Sequence, residues 1–247
     1  MKDNFSSASD QYALYRPTYP DHFFSYLKTL IPSPNMAWDC GTGNGQVAVK
    51  LAYFFEMVYA TDISDSQMHQ APKRNNIDYS LQAAEKTNFQ NHTFDLIIVA
   101  QAVHWFDFEK FYNEVHRTAK DDAFMVVLGY GRLEISPEID ALIDAFHEDT
   151  LGPYWDSERR YIDELYQTIP FPFEEIDTPK FTNTYDWSFE HLIGYLNTWS
   201  AVKHYIKIND MNPVDALVPK LKAAFGNHET LIVNFPLLLR IGRIAKF

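Results

Sequence analysis

The sequence predicts an α/β fold built on a parallel, doubly wound sheet. Three observations carry this expectation. Strand-like and helical segments alternate from Met36 to Tyr130, two of the strands read as nearly continuous apolar runs, and a glycine cluster separates the first strand from the helix that follows it.

The elements follow in order. After a polar start, the turn-forming Arg16-Pro-Thr-Tyr-Pro20 introduces a helix with Phe23, Phe24, Tyr26, Leu27 and Leu30 at helical spacing, and Pro32 and Pro34 end it. Met36 to Cys40 reads as the first strand. Helices are expected near Gln46 to Phe55, Asp65 to Ala71 and Phe108 to Thr118. Strands are expected at Met57 to Thr61, more weakly at Asp78 to Gln82, and at Phe94 to Ala100 (FDLIIVA) and Ala123 to Tyr130 (AFMVVLGY), whose unbroken apolar character suits burial on both faces. Beyond Gly131 come longer helical patterns and aromatic-rich loops, then strand-like Thr230 to Val233 and Leu237 to Ile241. With no repeat and no low-complexity tract, residues 131 to 230 read as an elaboration of one domain spanning 1 to 247.

Composition narrows the function. The 33 acidic against 21 basic side chains give a formal net charge of -12. A nucleic-acid surface needs the opposite balance to displace counterions from phosphates, so neither nucleic acid nor an anionic membrane is an expected partner. One cysteine, Cys40, excludes an intrachain disulfide and points to the cytoplasm, and no signal-like or membrane-spanning stretch is present. The histidines lack metal-ligand spacing, so no metal is expected, and neither a G-x-S-x-G elbow nor a phosphate-binding G-x-x-x-x-G-K-[ST] loop occurs.

The chemistry-bearing stretch is Asp39-Cys-Gly-Thr-Gly-Asn-Gly-Gln46. Gly41, Gly43 and Gly45 alternate around Thr42 and Asn44, and Gln46 opens the helix. Without side chains such a loop takes positive φ and lets a ligand lie on the backbone near a helix N-terminus. A dinucleotide fingerprint would need a third glycine at position 46, where Gln46 stands, which disfavours a nicotinamide oxidoreductase. Asp62 ends the second strand 21 residues after Gly41 and could accept two ribose hydroxyls or cap the next helix. Met68 suits a base face or plain core filling.

Asp39-x-Gly41-x-Gly43-x-Gly45, Asp62-Ile63-Ser64 through Met68, and Ala84-Glu85 ahead of the fourth strand together resemble the S-adenosylmethionine (SAM) site of class I methyltransferases. Ala100-Gln-Ala-Val-His-Trp-Phe106 and Tyr15-Arg-Pro-Thr-Tyr-Pro20 resemble the trans-aconitate methyltransferase-like subgroup. The resemblance covers Tyr12 to Tyr130. It implies a Rossmann-like, seven-stranded sheet whose last strand is antiparallel, with the final pair drawn from residues 174 to 187 and 230 to 241. It implies an N-terminal lid within residues 1 to 35, a SAM-binding core at 36 to 130 and an acceptor-side elaboration at 131 to 230.

By the same resemblance SAM is the cofactor, held by Tyr15, Arg16, Asp39, Gly41, Thr42, Gly43, Gly45, Gln46, Asp62, Ile63, Met68, Ala84, Glu85 and Gln101, and the acceptor is a small molecule, such as a carboxylic acid, touching Tyr12 and Trp105. Gln101 and His104, the two candidate catalytic residues, follow the fourth strand, where the crevice of such a sheet opens. His104 is a general-base candidate, and a structural hydrogen bond to the backbone is an equal alternative. A carboxylate acceptor would need no base. A monomer or a homodimer is expected. The alternatives are a SAM- or nucleotide-binding regulatory module without catalysis and the disfavoured oxidoreductase.

Overall fold

Residues 14–245 are described by the computed structural model, and a mixed sheet runs through their centre. Its strands are β1 (Met36–Cys40), β2 (Met57–Asp62), β3 (Ile77–Leu81), β4 (Phe94–Ala100), β5 (Ala119–Tyr130), β6 (Glu174–Glu175), β7 (Thr182–Trp187) and β8 (Leu231–Arg243). The order is β3-β2-β1-β4-β5-β8-β6, with β7 also paired to β8. Strands β1 to β5 are parallel, and β8 runs antiparallel to β5.

Eight strands occupy seven positions. Glu174 pairs with Arg243 and Thr182 with Pro236, so eight steps on one strand oppose seven on the other. One extra residue therefore lies between β6 and β7, in the stretch that contains Pro179, which has no N–H to give to a ladder. The pair β6 and β7 is one edge strand, interrupted. The Rossmann-like expectation of an antiparallel closing pair holds in this form.

Alternation along the central strands assigns the two layers of core. Ala37, Leu96, Ile98, Val126 and Leu128 belong to one buried cluster, and Trp38, Cys40, Ile97, Val99, Met125 and Val127 to the other. Successive side chains of a strand point to opposite faces, so the apolar runs of β4 and β5 are runs because both faces are covered. Helices α1 (Asp21–Leu30) and α2 (Gln46–Leu51) cover the first face through Phe23, Leu27, Val47 and Leu51. A short α3 (Asp65–Met68) follows β2, and α4 (Phe108–Thr118) covers the second face through Phe111 and Val115.

In the second half, α5 (Pro137–Ala145) continues into a π-helical turn at Phe146–Thr150, and α6 (Arg160–Asp163) follows two 3₁₀ turns. Then come α7 (Phe189–Asn197), α8 (Ser200–Asn209) and α9 (Pro213–Phe225). Ile139, Leu192, Leu196, Leu217 and Leu221 from these helices join the core of the first face. Their starts are chemically marked: Ser136 accepts from the N–H of Ile139 with Pro137 next in line, Ser188 accepts from His191, and Asn212 from Val214.

Boundaries differ from the sequence expectation by more than one residue in four places. Helix α2 ends at Leu51 and α3 at Met68, each short of the stretch expected. Strand β5 begins at Ala119, because Ala119 pairs with Phe94 ahead of a bulge in which Lys120, Asp121 and Asp122, which read as a loop, lie between the ladder pairs and Asp122 takes φ 60°. The two late strand segments are one strand, β8, which passes through Pro236: no N–H is needed there, and the Pro236 carbonyl accepts from Gly131 at 3.0 Å. No helix among the described residues is long and apolar enough to cross a membrane.

Candidate active site

The C-terminal ends of β1, β2 and β4 meet at one cleft, the place where an open parallel sheet offers a crevice. The glycine loop leaves β1 with the N–H groups of Gly41 and Thr42 bonded to the Thr61 carbonyl at 2.8 and 2.9 Å, which ties it to β2. Gly43 and Gly45 both have positive φ, for different reasons. A side chain on Gly45 would run into Tyr79 and Ala71, so its bareness serves packing. One on Gly43 would meet nothing nearer than Gln67 Oε1 at 3.8 Å and would project into the cleft, leaving a backbone cradle.

Two carboxylates face this cradle. Asp62 is pinned from both sides: Oδ2 accepts from the Gly43 N–H and Oδ1 from the Ser64 N–H, each at 2.8 Å. Asp39 is fully buried, its Oδ2 accepting from the Thr42 hydroxyl at 2.6 Å while Oδ1 has no partner. Burial raises its pKa to about 7, the Thr42 hydroxyl and the Ala48 amide opposing and the nearby Asp62 charge adding to the rise. A lone buried acceptor on the cleft wall is a seat for a cation or a donor.

Of the residues expected to form the site, Arg16, Asp39, Gly41, Thr42, Gly43, Gln46, Asp62, Ile63, Gln101 and Trp105 line the cleft. Others are placed elsewhere. Tyr15 packs edge-on to His191, 5.2 Å between centroids, in the space left by Gly194. Met68 is outside the lining, and its neighbour Gln67 turns inward instead. Ala84 is buried, and Glu85 accepts from the Asp107 N–H at 3.1 Å at the start of α4. Tyr12 lies outside the described residues. Sequence reasoning gave no role to Tyr19, Asn44, Val47, Ala102 or Tyr130, which also line the cleft together with Ser64 of the Asp62-Ile63-Ser64 motif. Tyr130 had a readable signal, since it ends β5 on the crevice side.

Arg16 is committed to protein partners. Its Nε donates to Thr198 Oγ1 at 2.9 Å, Nη2 to the Thr198 carbonyl at 3.3 Å and Nη1 to the Tyr130 hydroxyl at 3.2 Å, and its guanidinium lies over the Tyr195 ring. It thereby fastens the chain entering α1 to the junction of α7 and α8.

Beyond Trp105 the cleft adjoins a side annex, which shares Arg16, Gln101 and Trp105 and adds His104, Trp155, Asp156, Arg159, Ile162 and Ser200. Gln101, at φ 55°, donates through Nε2 to the Tyr130 carbonyl and accepts at Oε1 from the Tyr166 hydroxyl at 3.4 Å. His104 is buried, with Nδ1 3.2 Å from that same hydroxyl. Burial first, and then the Arg159 charge, lower its pKa to about 3. The imidazole is neutral at physiological pH and a weak base, its partner being a side chain rather than the backbone.

A family model described as a methyltransferase domain matches residues 38–127, from β1 to β5. A protein of Dictyostelium discoideum named as a methyltransferase is 32% identical over 249 residues, covering 98% of this chain and 95% of its own length. Methyltransferase cfoB of Aspergillus candidus is 25% identical over 240 residues, 85% of this chain and 73% of that one. A structure from Anaeromyxobacter dehalogenans described as a type II methyltransferase superposes with a TM-score of 0.87 at 36% identity, over 94% of this chain and all of that one. Phosphoethanolamine N-methyltransferase 2 of Haemonchus contortus, in complex with SAM, shares the fold alone, with a TM-score of 0.50 and 15% identity over 98% of this chain and 57% of that one. With its glycine loop, its strand order and these relatives together, the chain belongs to the class I SAM-dependent methyltransferase superfamily.

Proposed function

We propose that this protein transfers the methyl group of SAM to a small-molecule acceptor, a carboxylic acid of the kind used by trans-aconitate-type enzymes. The observation that carries the reading is the cradle itself: bare backbone at Gly43, flanked by the pinned carboxylate of Asp62 and the unpartnered oxygen of Asp39. These residues fit the cofactor's groups. The Asp62 carboxylate is of the acceptor type that suits a ribose diol, Asp39 faces an ammonium, and Gly41 to Gly43 leave room for the chain between them. When bound, SAM supplies a methyl group already activated on a sulfonium. The protein's task is then to orient the acceptor and exclude water.

Gln101 and Trp105 line both the cleft and the annex and so stand where donor and acceptor would meet. The neutral His104, a weak base, suits an acceptor oxygen that is ionised before it arrives. It serves to hold Gln101 through Tyr166 rather than to take a proton. The lone Cys40 is buried and unpaired, in keeping with a cytosolic setting.

The test is calorimetric titration of SAM and S-adenosylhomocysteine into the wild type and Asp62→Ala, with NAD as a control. The expected result is binding of both adenosyl ligands, no NAD binding, and a loss of about 10- to 100-fold in the variant, as for the removal of hydrogen bonds to a charged acceptor. Folded wild-type protein that binds neither adenosyl ligand would overturn the assignment.

A further inference from the structure

Arg159 stands out among the charged groups of the site. It lies in the annex, its side chain 21% exposed, with the guanidinium over the Trp155 ring at 4.9 Å. Its Nε meets Asp163 Oδ1 at 3.4 Å, and among the described residues Nη1 and Nη2 make no hydrogen bond. Trp155 is itself fixed, its Nε1 donating to the His147 carbonyl at 3.1 Å. A planar fork with its outer donors open, stacked on a clamped indole, is a preorganised receptor for a two-oxygen anion.

The annex around it has the matching charge. Arg16 and Arg159 face one carboxylate, Asp156, and His104 is neutral. In a chain of net charge -12, two guanidinium groups meet on the lining of this one annex. Arg16 is spent on Tyr130 and Thr198, which leaves Arg159 as the cation with open donors.

The geometry points to Arg159 as the specificity residue that grips an oxyanion of the acceptor, a carboxylate or a phosphate separate from the atom that is methylated. The acceptor is then at least dianionic when the methylated group is itself a carboxylate. That the annex is the acceptor side rests on the methyl-transfer reading. Its anion affinity is measurable without it.

The experiment titrates succinate, succinamide as the uncharged control, and inorganic phosphate into apo and S-adenosylhomocysteine-saturated protein, using the wild type, Arg159→Met and Arg159→Lys. Circular dichroism and thermal midpoints confirm that each variant is folded. The expected result is succinate or phosphate binding to wild type, no succinamide binding, a tenfold or greater loss in Arg159→Met and partial recovery in Arg159→Lys. Preference for succinate over phosphate assigns the anion as carboxylate, and the reverse as phosphate. Wild type that binds no anion in either state, or Arg159→Met that binds as well as wild type, overturns the proposal. Anion binding in apo protein that itself takes no adenosyl ligand would sink the methyl-transfer reading and leave the anion site standing.

Discussion

Asp39 is a carboxylic acid placed where water does not reach, and its ionisation works against the folded state. Its pKa, about 7 in the fold against 3.8 for the free group, means that the native protein keeps this proton where the unfolded chain has shed it. The resulting stability is complete below about pH 4 and is lost as the pH rises through 7. An Asp39→Asn variant has nothing to lose over that window. Denaturation of the two proteins at pH 4, 6 and 8 should therefore show the wild type falling behind the variant by up to about 4 kcal/mol; a gap independent of pH would contradict it. His104 acts in the other direction, losing stability as the pH drops below its ordinary 6.5, and cancels from this comparison. Asp39, Asp62 and the glycines were legible in the sequence because the loop is local. Tyr19 and Gln67 were not, since only the folded chain shows which of several neighbours turns inward.

Strand β5 shows how one element reaches the site through another. Gly129 carries no side chain, and a Cβ there would stand 2.7 Å from Cε2 of Tyr166, a fully buried ring whose hydroxyl serves both Gln101 and His104. Gly129→Ala is an overpacking change against a large, immobile partner. It should cost about 1–3 kcal/mol in urea unfolding, and an unchanged midpoint would mean that the ring has room to move. Nothing in the sequence predicted this. The central strands were readable because burial on both faces leaves an apolar run. The segment from Phe146 to Tyr166 was not, since a π-helical turn, two 3₁₀ turns and positive φ at Leu165 and Tyr166 carry no periodic pattern.

For the whole molecule, the acidic excess and the cationic annex act at different ranges. At about 10 mM salt the screening length is near 30 Å, so an approaching dianion meets the field of the net charge of -12; at about 150 mM it is near 8 Å, and the annex dominates. The association rate of succinate with wild-type protein, followed by stopped flow, should rise over that range of salt. A steady fall would instead assign the encounter to local attraction throughout. The net charge was in the composition from the start, but the placement of Arg16 and Arg159 in one annex was not, because it depends on pairings that span most of the chain.

Those pairings also set the order in which the protein can be completed. Arg16 is held by Tyr130 and by Thr198, the latter 182 positions downstream. A nascent chain that has emerged from the ribosome only as far as β5 already holds β1 to β4 and the glycine loop, but Arg16 has no Thr198 to grip. The wall it contributes closes only after α7 has left the exit tunnel, and β8, the partner that shields β5, is synthesised later still. During translation the cleft is therefore open on one flank from the emergence of β5 until Thr198 has left the exit tunnel, an interval in which β5 lacks its β8 neighbour and the cofactor has no finished pocket to enter.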